Sequence, residues 1–85
     1  MEKKYPFSAT KHAHDIEFRR ARVKNELFRA YANPTLSKET VEKLEALEEQ
    51  LDTLIGYMHE GIVWLTGSQW ALAQECVGWA AGQRA

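Results

Sequence analysis

The histidines and the single cysteine are the side chains that could ligate a metal ion or act as a nucleophile. His12 and His14 are two residues apart, so on a helix they point in different directions and cannot ligate one ion together. His59 beside Glu60 has the same limitation. Cys76 is alone, which excludes an internal disulfide and leaves no zinc or redox motif. The sequence contains no phosphate-binding glycine loop, nucleophile elbow or zinc-protease motif, so we expect a protein that is not an enzyme and uses no metal ion or cofactor.

A basic stretch could contact a nucleic acid or another anion. The candidate contacts are Arg19, Arg20, Arg22 and Arg29. Three of these arginines fall on one side of a helix, as a phosphate backbone would require. Asp15 and Glu26 are expected on that side too, at i,i+4 spacing from Arg19 and Arg22, and they would neutralise it. The sequence therefore favours a solvated face with ion pairs, and nucleic-acid binding is an alternative function.

An aromatic set is the third possible site. Its members are Tyr57, Trp64, Trp70 and Trp79. These rings could stack on a planar, nucleotide-like ligand at a junction between subunits. Aromatic residues at such spacings are more often part of the core, so small-ligand binding is a second alternative function.

The segment from Ser37 to Leu65 carries the strongest structural signal. Its apolar residues alternate between spacings of three and four: Leu44, Leu47, Leu51, Leu54 and Met58. This pattern is the seam of a helix that packs against another helix, and Ser37 is a suitable N-cap residue. We predict a helix over residues 38–65. The glycines favour a break at residues 66–68, and one continuous helix to Gly82 is the alternative.

Two further helices and an N-terminal arm complete the predicted fold. Residues 1–8 are expected to be extended because Pro6 prevents an early helix. A helix over about 11–32 has two apolar faces, which is typical of a helix packed between neighbours. The last helix, over about 69–82, has little polar surface. The prediction is a single all-α domain over residues 1–85, a small helical bundle made of a helical hairpin and a third apolar helix.

Charge is unevenly distributed in a chain whose net charge is only −1. Residues 1–33 carry eight basic and four acidic side chains, whereas residues 34–60 carry two basic and seven acidic ones. The first two helices should therefore attract each other, with Arg20 as a candidate partner for a carboxylate. The near-neutral total favours no polyanionic partner. An acidic ridge on the second helix is a possible partner surface: Glu42, Glu45, Glu49 and Asp52.

The apolar seam and the Trp-rich last helix indicate self-association. A chain of this length buries only about 60–65% of the surface that its unfolded form exposes, so we expect a second subunit to cover part of the apolar surface. The predicted oligomer interface is Leu44, Leu47, Leu51, Leu54, Met58, Trp70, Val77 and Trp79. The segment 61–82 contains Glu75 and several polar side chains, so a membrane span is not favoured and a cytoplasmic location is expected.

The function predicted from these features is a non-enzymatic helical protein–protein interaction module. Such a module could be a small adaptor, an inhibitor or a regulatory subunit, and it would act as a homo-oligomer. The two alternatives are nucleic-acid binding through the basic first helix and capture of a nucleotide-like ligand at the Trp-rich junction.

Overall fold

The computed structural model describes residues 3–58 and 61–84, and these form three helices and one small sheet. In chain order the elements are β1 (Tyr5–Ser8), α1 (Ala9–Tyr31), α2 (Lys38–Gly56), β2 (Ile62–Leu65) and α3 (Gly67–Arg84). The chain is mostly helical, as predicted. The all-α class is nevertheless wrong in one respect, because β1 and β2 form a two-stranded antiparallel sheet.

The first two helices lie close to their predicted bounds. α1 begins two residues before the predicted start and ends one residue before the predicted end. α2 begins at the predicted residue because Ser37 caps it: the Ser37 hydroxyl accepts a hydrogen bond from the backbone N–H of Thr40 at 3.2 Å. In the connection between the helices, the Asn33 side chain accepts a hydrogen bond from the backbone N–H of Thr35 at 3.0 Å.

The second helix is shorter than predicted. It ends at Gly56, and residues 62–65, which the prediction placed in its last turns, form β2. The alternative of one continuous helix to Gly82 is wrong for the same reason. The sequence of β2 is Ile-Val-Trp-Leu, which is rich in the β-branched and aromatic residues that favour strands. His59 and Glu60, which lay inside the predicted helix, are outside the described residues.

The predicted N-terminal arm supplies the strand that β2 pairs with. The register is antiparallel, with the pairs Tyr5–Leu65, Pro6–Trp64, Phe7–Val63 and Ser8–Ile62. Successive residues of a strand point to opposite faces of the sheet. Phe7, Val63 and Leu65 are accordingly buried, whereas Ile62 and Trp64 are exposed. Continuing the helix through β2 would have lost this alternation.

The third helix starts with a capping box that sequence analysis missed. The Thr66 hydroxyl accepts from the backbone N–H of Gln69 at 3.3 Å, and the Gln69 side chain accepts from the backbone N–H of Thr66 at 3.0 Å. The helix therefore begins two residues before the predicted start. Within the ranges 3–58 and 61–84, no helix combines the length and the apolar character that a bilayer crossing demands.

The core is built around α1, which packs against both α2 and α3, while α2 and α3 contact each other little. One cluster of buried side chains draws on all five elements. Its largest fully buried members are Ile16, Val23, Leu51, Leu54, Leu65 and Cys76. α1 lies between two neighbours, as its two apolar faces predicted, but the face that carries Phe18 and Phe28 is only partly covered, because Phe28 is 78% exposed.

Candidate interaction surface

The leucine seam of α2 lies mainly inside one chain. Leu51 and Leu54 have no exposed surface in the single chain, so neither can contact a second subunit, and their predicted place in an oligomer interface is wrong. They pack with the buried residues of α1 because a helix with an apolar seam can bury it against a helix of the same chain. Leu44, Leu47 and Met58 are half-buried against the same cluster. Their role in an interface stays a prediction.

The tryptophans occupy three separate surroundings. Trp70 packs on Tyr5, with ring centroids 5.4 Å apart. Trp79 packs on Phe18 at 4.8 Å, and the Arg19 guanidinium lies 4.9 Å from the centre of its ring. Within one chain, therefore, the aromatic set does not converge on a single stacking site. Trp70, Trp79 and Val77 are half-buried, and their predicted interface role is likewise untested.

Trp64 differs from the other two tryptophans because it is exposed. With Ile62 and Tyr57 it forms a surface that we call the apolar patch. The exposed fractions of these residues are 64% for Trp64, 61% for Ile62 and 45% for Tyr57. β2 positions the first two on its outer face through the register with β1, and Tyr57 follows directly after the last residue of α2.

A groove of about 490 Å³ runs beside the apolar patch. It is lined by Lys4, Gly56, Tyr57, Ile62, Val63, Trp64, Thr66 and Gln69. Ile62, Val63 and Trp64 are consecutive and alternate between the two faces of the sheet, so the backbone edge of β2 borders the groove. Among the described residues that line the groove, Lys4 is the one with a charge, and Thr66 and Gln69 add polar side chains, so the lining mixes apolar and polar groups.

The four arginines of α1 fall into two groups, two that contact neighbouring helices and two that are exposed. Arg20 donates from Nε to Asp52 at 2.6 Å, which joins α1 to α2 as the charge distribution predicted. Arg19 is held over Trp79 instead of pairing with Asp15. Arg22 and Arg29 are exposed and take part in none of the ion pairs among the described residues.

Asp15 is buried, and the prediction that it neutralises Arg19 on the same side of α1 is wrong. Its two oxygens accept hydrogen bonds from different partners: Arg84 Nη2 at 2.7 Å and His12 Nδ1 at 3.3 Å. Burial on its own would raise the pKa of Asp15, but the hydrogen bonds and positive charges of Arg84 and His12 outweigh it, so the pKa is lowered. No local sequence signal could have found this contact, because Asp15 and Arg84 are 69 residues apart.

Two of the four residues of the predicted acidic ridge of α2 interact with side chains of α1. Asp52 pairs with Arg20, and the Tyr31 side chain at the end of α1 lies near Glu45. Desolvation of the Tyr31 hydroxyl, together with its interaction with the Glu45 carboxylate, raises the pKa of Tyr31. Glu42 and Glu49 are exposed. The ridge therefore serves partly to hold α1 and α2 together, and its role as a partner surface stays a prediction.

The described residues offer little reactive chemistry. No group of three or more His, Cys, Asp or Glu side chains among them could hold a metal ion. Cys76 is buried, and this burial raises the pKa of its thiol to about 11, so the thiol is protonated near neutral pH. Comparisons with protein-family models, with curated proteins and with solved structures found no match to this chain.

Proposed function

We propose that this protein is a non-enzymatic protein–protein interaction module, a small adaptor, inhibitor or regulatory subunit, that acts as a homo-oligomer. The observation that supports the proposal is the apolar patch of Tyr57, Ile62 and Trp64. Three large side chains that line the groove stay in water in the single chain. A contiguous exposed apolar surface of this kind typically marks a site where another protein binds.

The residue types in the patch fit this role. Tryptophan and tyrosine are enriched among the few residues that contribute most of the binding energy at protein interfaces. They combine a large apolar ring with a polar group and lose little conformational entropy on binding. Lys4 at the groove would favour a partner with a carboxylate at the rim.

The test compares two variants that remove similar exposed aromatic rings at different places. Trp64→Ala removes the patch, and Phe28→Ala removes a ring that is 78% exposed at the far end of α1. With a purified binding partner, a central interface residue costs about 2 kcal/mol or more on truncation, which is roughly a 30-fold loss of affinity. We expect this loss for Trp64→Ala and affinity within about twofold of the original for Phe28→Ala. Equal losses for both variants would contradict the assignment of the patch.

A second candidate function is nucleic-acid binding by the exposed side of α1. It is supported by the burial of Asp15, which removes from that side a carboxylate that would have neutralised it. Arg22 and Arg29 lie seven residues apart, about 10 Å along the helix. If they contact phosphates, the affinity for DNA or RNA should fall steeply with salt, and Arg22→Ala with Arg29→Ala should lower the salt slope by about two. Lack of any binding at low salt would exclude this candidate.

A further inference from the structure

β2 has one edge paired with β1 and a second edge that no described backbone group occupies. In an antiparallel ladder, hydrogen-bonded pairs alternate with non-hydrogen-bonded pairs. Pro6 has no N–H, so the pair Pro6–Trp64 is of the second kind, and Val63 and Leu65 make the bonds to β1. The N–H and C=O groups of Ile62 and Trp64 therefore point to the free edge.

We infer that this free edge pairs with the same edge of a second copy, so that two sheets join into one four-stranded antiparallel sheet. The inference rests on the proposed function and names the partner that occupies the apolar patch. The strand order would be β1–β2–β2–β1, with a two-fold axis at Val63.

The register follows from the direction of the backbone groups. Pairing about Val63 sets Ile62 of each copy opposite Trp64 of the other, and both residues have outward N–H and C=O groups. Each of these two pairs can then exchange two hydrogen bonds. A register that sets Trp64 opposite Trp64 needs the N–H of Thr66, which already bonds to the Gln69 side chain at 3.0 Å. The capping box of α3 therefore favours the register about Val63.

The lack of charge on β2 and the closed geometry of the pairing favour a second copy of this chain as the partner at the free edge. None of the four residues of β2 is charged, so antiparallel pairing of two copies brings no like charges together. An uncharged free edge with exposed large side chains is an aggregation hazard unless it is covered. The outer edge of β1 lacks an N–H at Pro6, which blocks addition of further strands there. The assembly therefore closes at two copies and does not grow into a fibre.

The first measurement is the solution mass as a function of protein concentration. The paired surface is small beside the roughly 800 Å² per partner of standard interfaces, so we expect a dimer with a dissociation constant on the order of 10 µM. Amide hydrogen exchange then tests the edge directly. Val63 and Leu65 should be protected at all concentrations, because they bond to β1, whereas Ile62 and Trp64 should become protected only when the dimer forms.

Three double variants test the register. Ile62→Lys with Trp64→Lys, and Ile62→Glu with Trp64→Glu, place like charges opposite each other in both pairs. Ile62→Glu with Trp64→Lys places opposite charges there instead, with a similar loss of apolar surface. We expect the two like-charged variants to dimerise at least about 30-fold more weakly than the original chain. The mixed variant should dimerise about tenfold more tightly than either of them. Phe28→Lys is the control for an added surface charge, and it should leave the dimer unchanged.

A chain that stays monomeric at every concentration overturns the self-pairing. If such a monomer binds a different protein through Trp64, the interaction-module part of the proposed function stands, and its homo-oligomer part is excluded together with the second copy. If it binds no protein through the patch, the proposed function fails as well. A dimer that persists in both like-charged variants, or a mixed variant as weak as they are, overturns the β2 edge and its register. Circular dichroism of each variant checks that the helices remain folded.

Discussion

The two sides of α1 are held by different means. Towards α2, the contact is a layer of large aliphatic side chains, with Leu51 and Leu54 fully buried and the ion pair Arg20–Asp52 lying at the surface. Towards α3, the fully buried residues are small, and the contacts at the margin are polar and aromatic. The buried residues of α3 are Ala73, Cys76 and Ala80.

The same kind of ion pair occurs on both sides, yet the surroundings differ. The atoms of the pair Arg20–Asp52 are 2.6 Å apart and those of Arg84–Asp15 are 2.7 Å apart. The Asp52 side chain is 48% exposed, whereas the Asp15 side chain is only 8% exposed. Water solvates and screens the first pair, so distance alone does not decide what an ion pair contributes. The comparison indicates that burial of large apolar side chains stabilises the packing of α2 on α1. Close approach of small side chains and one buried carboxylate stabilise the packing of α3 on α1.

Removal of volume on the α2 side should have the largest effect. Leu54→Ala deletes a fully buried side chain and leaves a cavity, and we expect the free energy of unfolding to fall by about 2–5 kcal/mol. Urea denaturation measures the change. Leu36→Ala, at a residue that is half exposed, is the control and should cost less than about 1 kcal/mol. Equal losses of unfolding free energy in the two variants would mean that the buried leucines do not stabilise the packing of α2.

Addition of volume should be harmful on the α3 side. Ala80→Leu adds three heavy atoms to a fully buried side chain, and overpacking of this kind costs about 1–3 kcal/mol. Ala81→Leu places the same side chain on the exposed neighbour in the same helix and should change stability by less than about 0.5 kcal/mol. Thermal unfolding distinguishes the two. If Ala80→Leu were neutral, the close approach of α3 to the core would be refuted.

Loss of the Arg84 guanidinium should have a smaller effect that depends on pH. Arg84→Ala leaves the buried Asp15 carboxylate with His12 alone, and we expect a cost of about 1–2 kcal/mol at neutral pH. The folded-state pKa of Asp15 is lowered, so its stabilising contribution is complete above the usual Asp pKa of about 4 and is lost as the pH falls through the folded-state pKa.

Denaturation between neutral and acid pH therefore tests the Asp15 contact. The original chain should lose stability on acidification, and Arg84→Ala should lose less, because part of the contribution is already absent. Gln83→Ala, at the exposed preceding residue, should behave as the original chain does. Identical acid dependence in the original chain and in Arg84→Ala would show that the contact contributes nothing.

The exposed pair on the α2 side should have the smallest effect. A double-mutant cycle of Arg20→Ala and Asp52→Ala isolates the interaction between the two side chains. Because both are substantially exposed, we expect a coupling of about 0.2–1 kcal/mol that decreases with added salt. A coupling above that of the Arg84–Asp15 pair would reverse the contrast between the two sides of α1.

The sequence predicted the helices better than it predicted their ends and contacts. The spacing of Leu44 to Met58 and the cap at Ser37 are local patterns, and they placed α2 correctly from its start to Gly56. The residues of β2 continued the same apolar character, so sequence analysis extended the helix through them. The decisive partner of β2 is β1, which lies about 57 residues earlier in the chain, and no pattern within either segment shows the pairing.

The candidate surface, too, could be predicted only as far as local patterns allow. The sequence marks Trp64 and Tyr57 as possible binding residues but does not separate them from Trp70 and Trp79, which pack on Tyr5 and Phe18 in the fold. Nothing in the sequence marks Ile62 as a binding residue. Exposure of an apolar residue depends on which neighbours cover it, and composition does not reveal that.

By itself, the sequence determined that three helical segments exist, where α2 begins, and that basic α1 and acidic α2 attract each other. These properties depend on residues within a few turns of one another, or on charge summed over a segment. The tertiary structure alone decided that residues 62–65 form a strand, that Asp15 is buried beside Arg84, and that Ile62 and Trp64 stay in water. Each of these depends on contacts between residues far apart in the chain, and no local pattern specifies which distant segments meet.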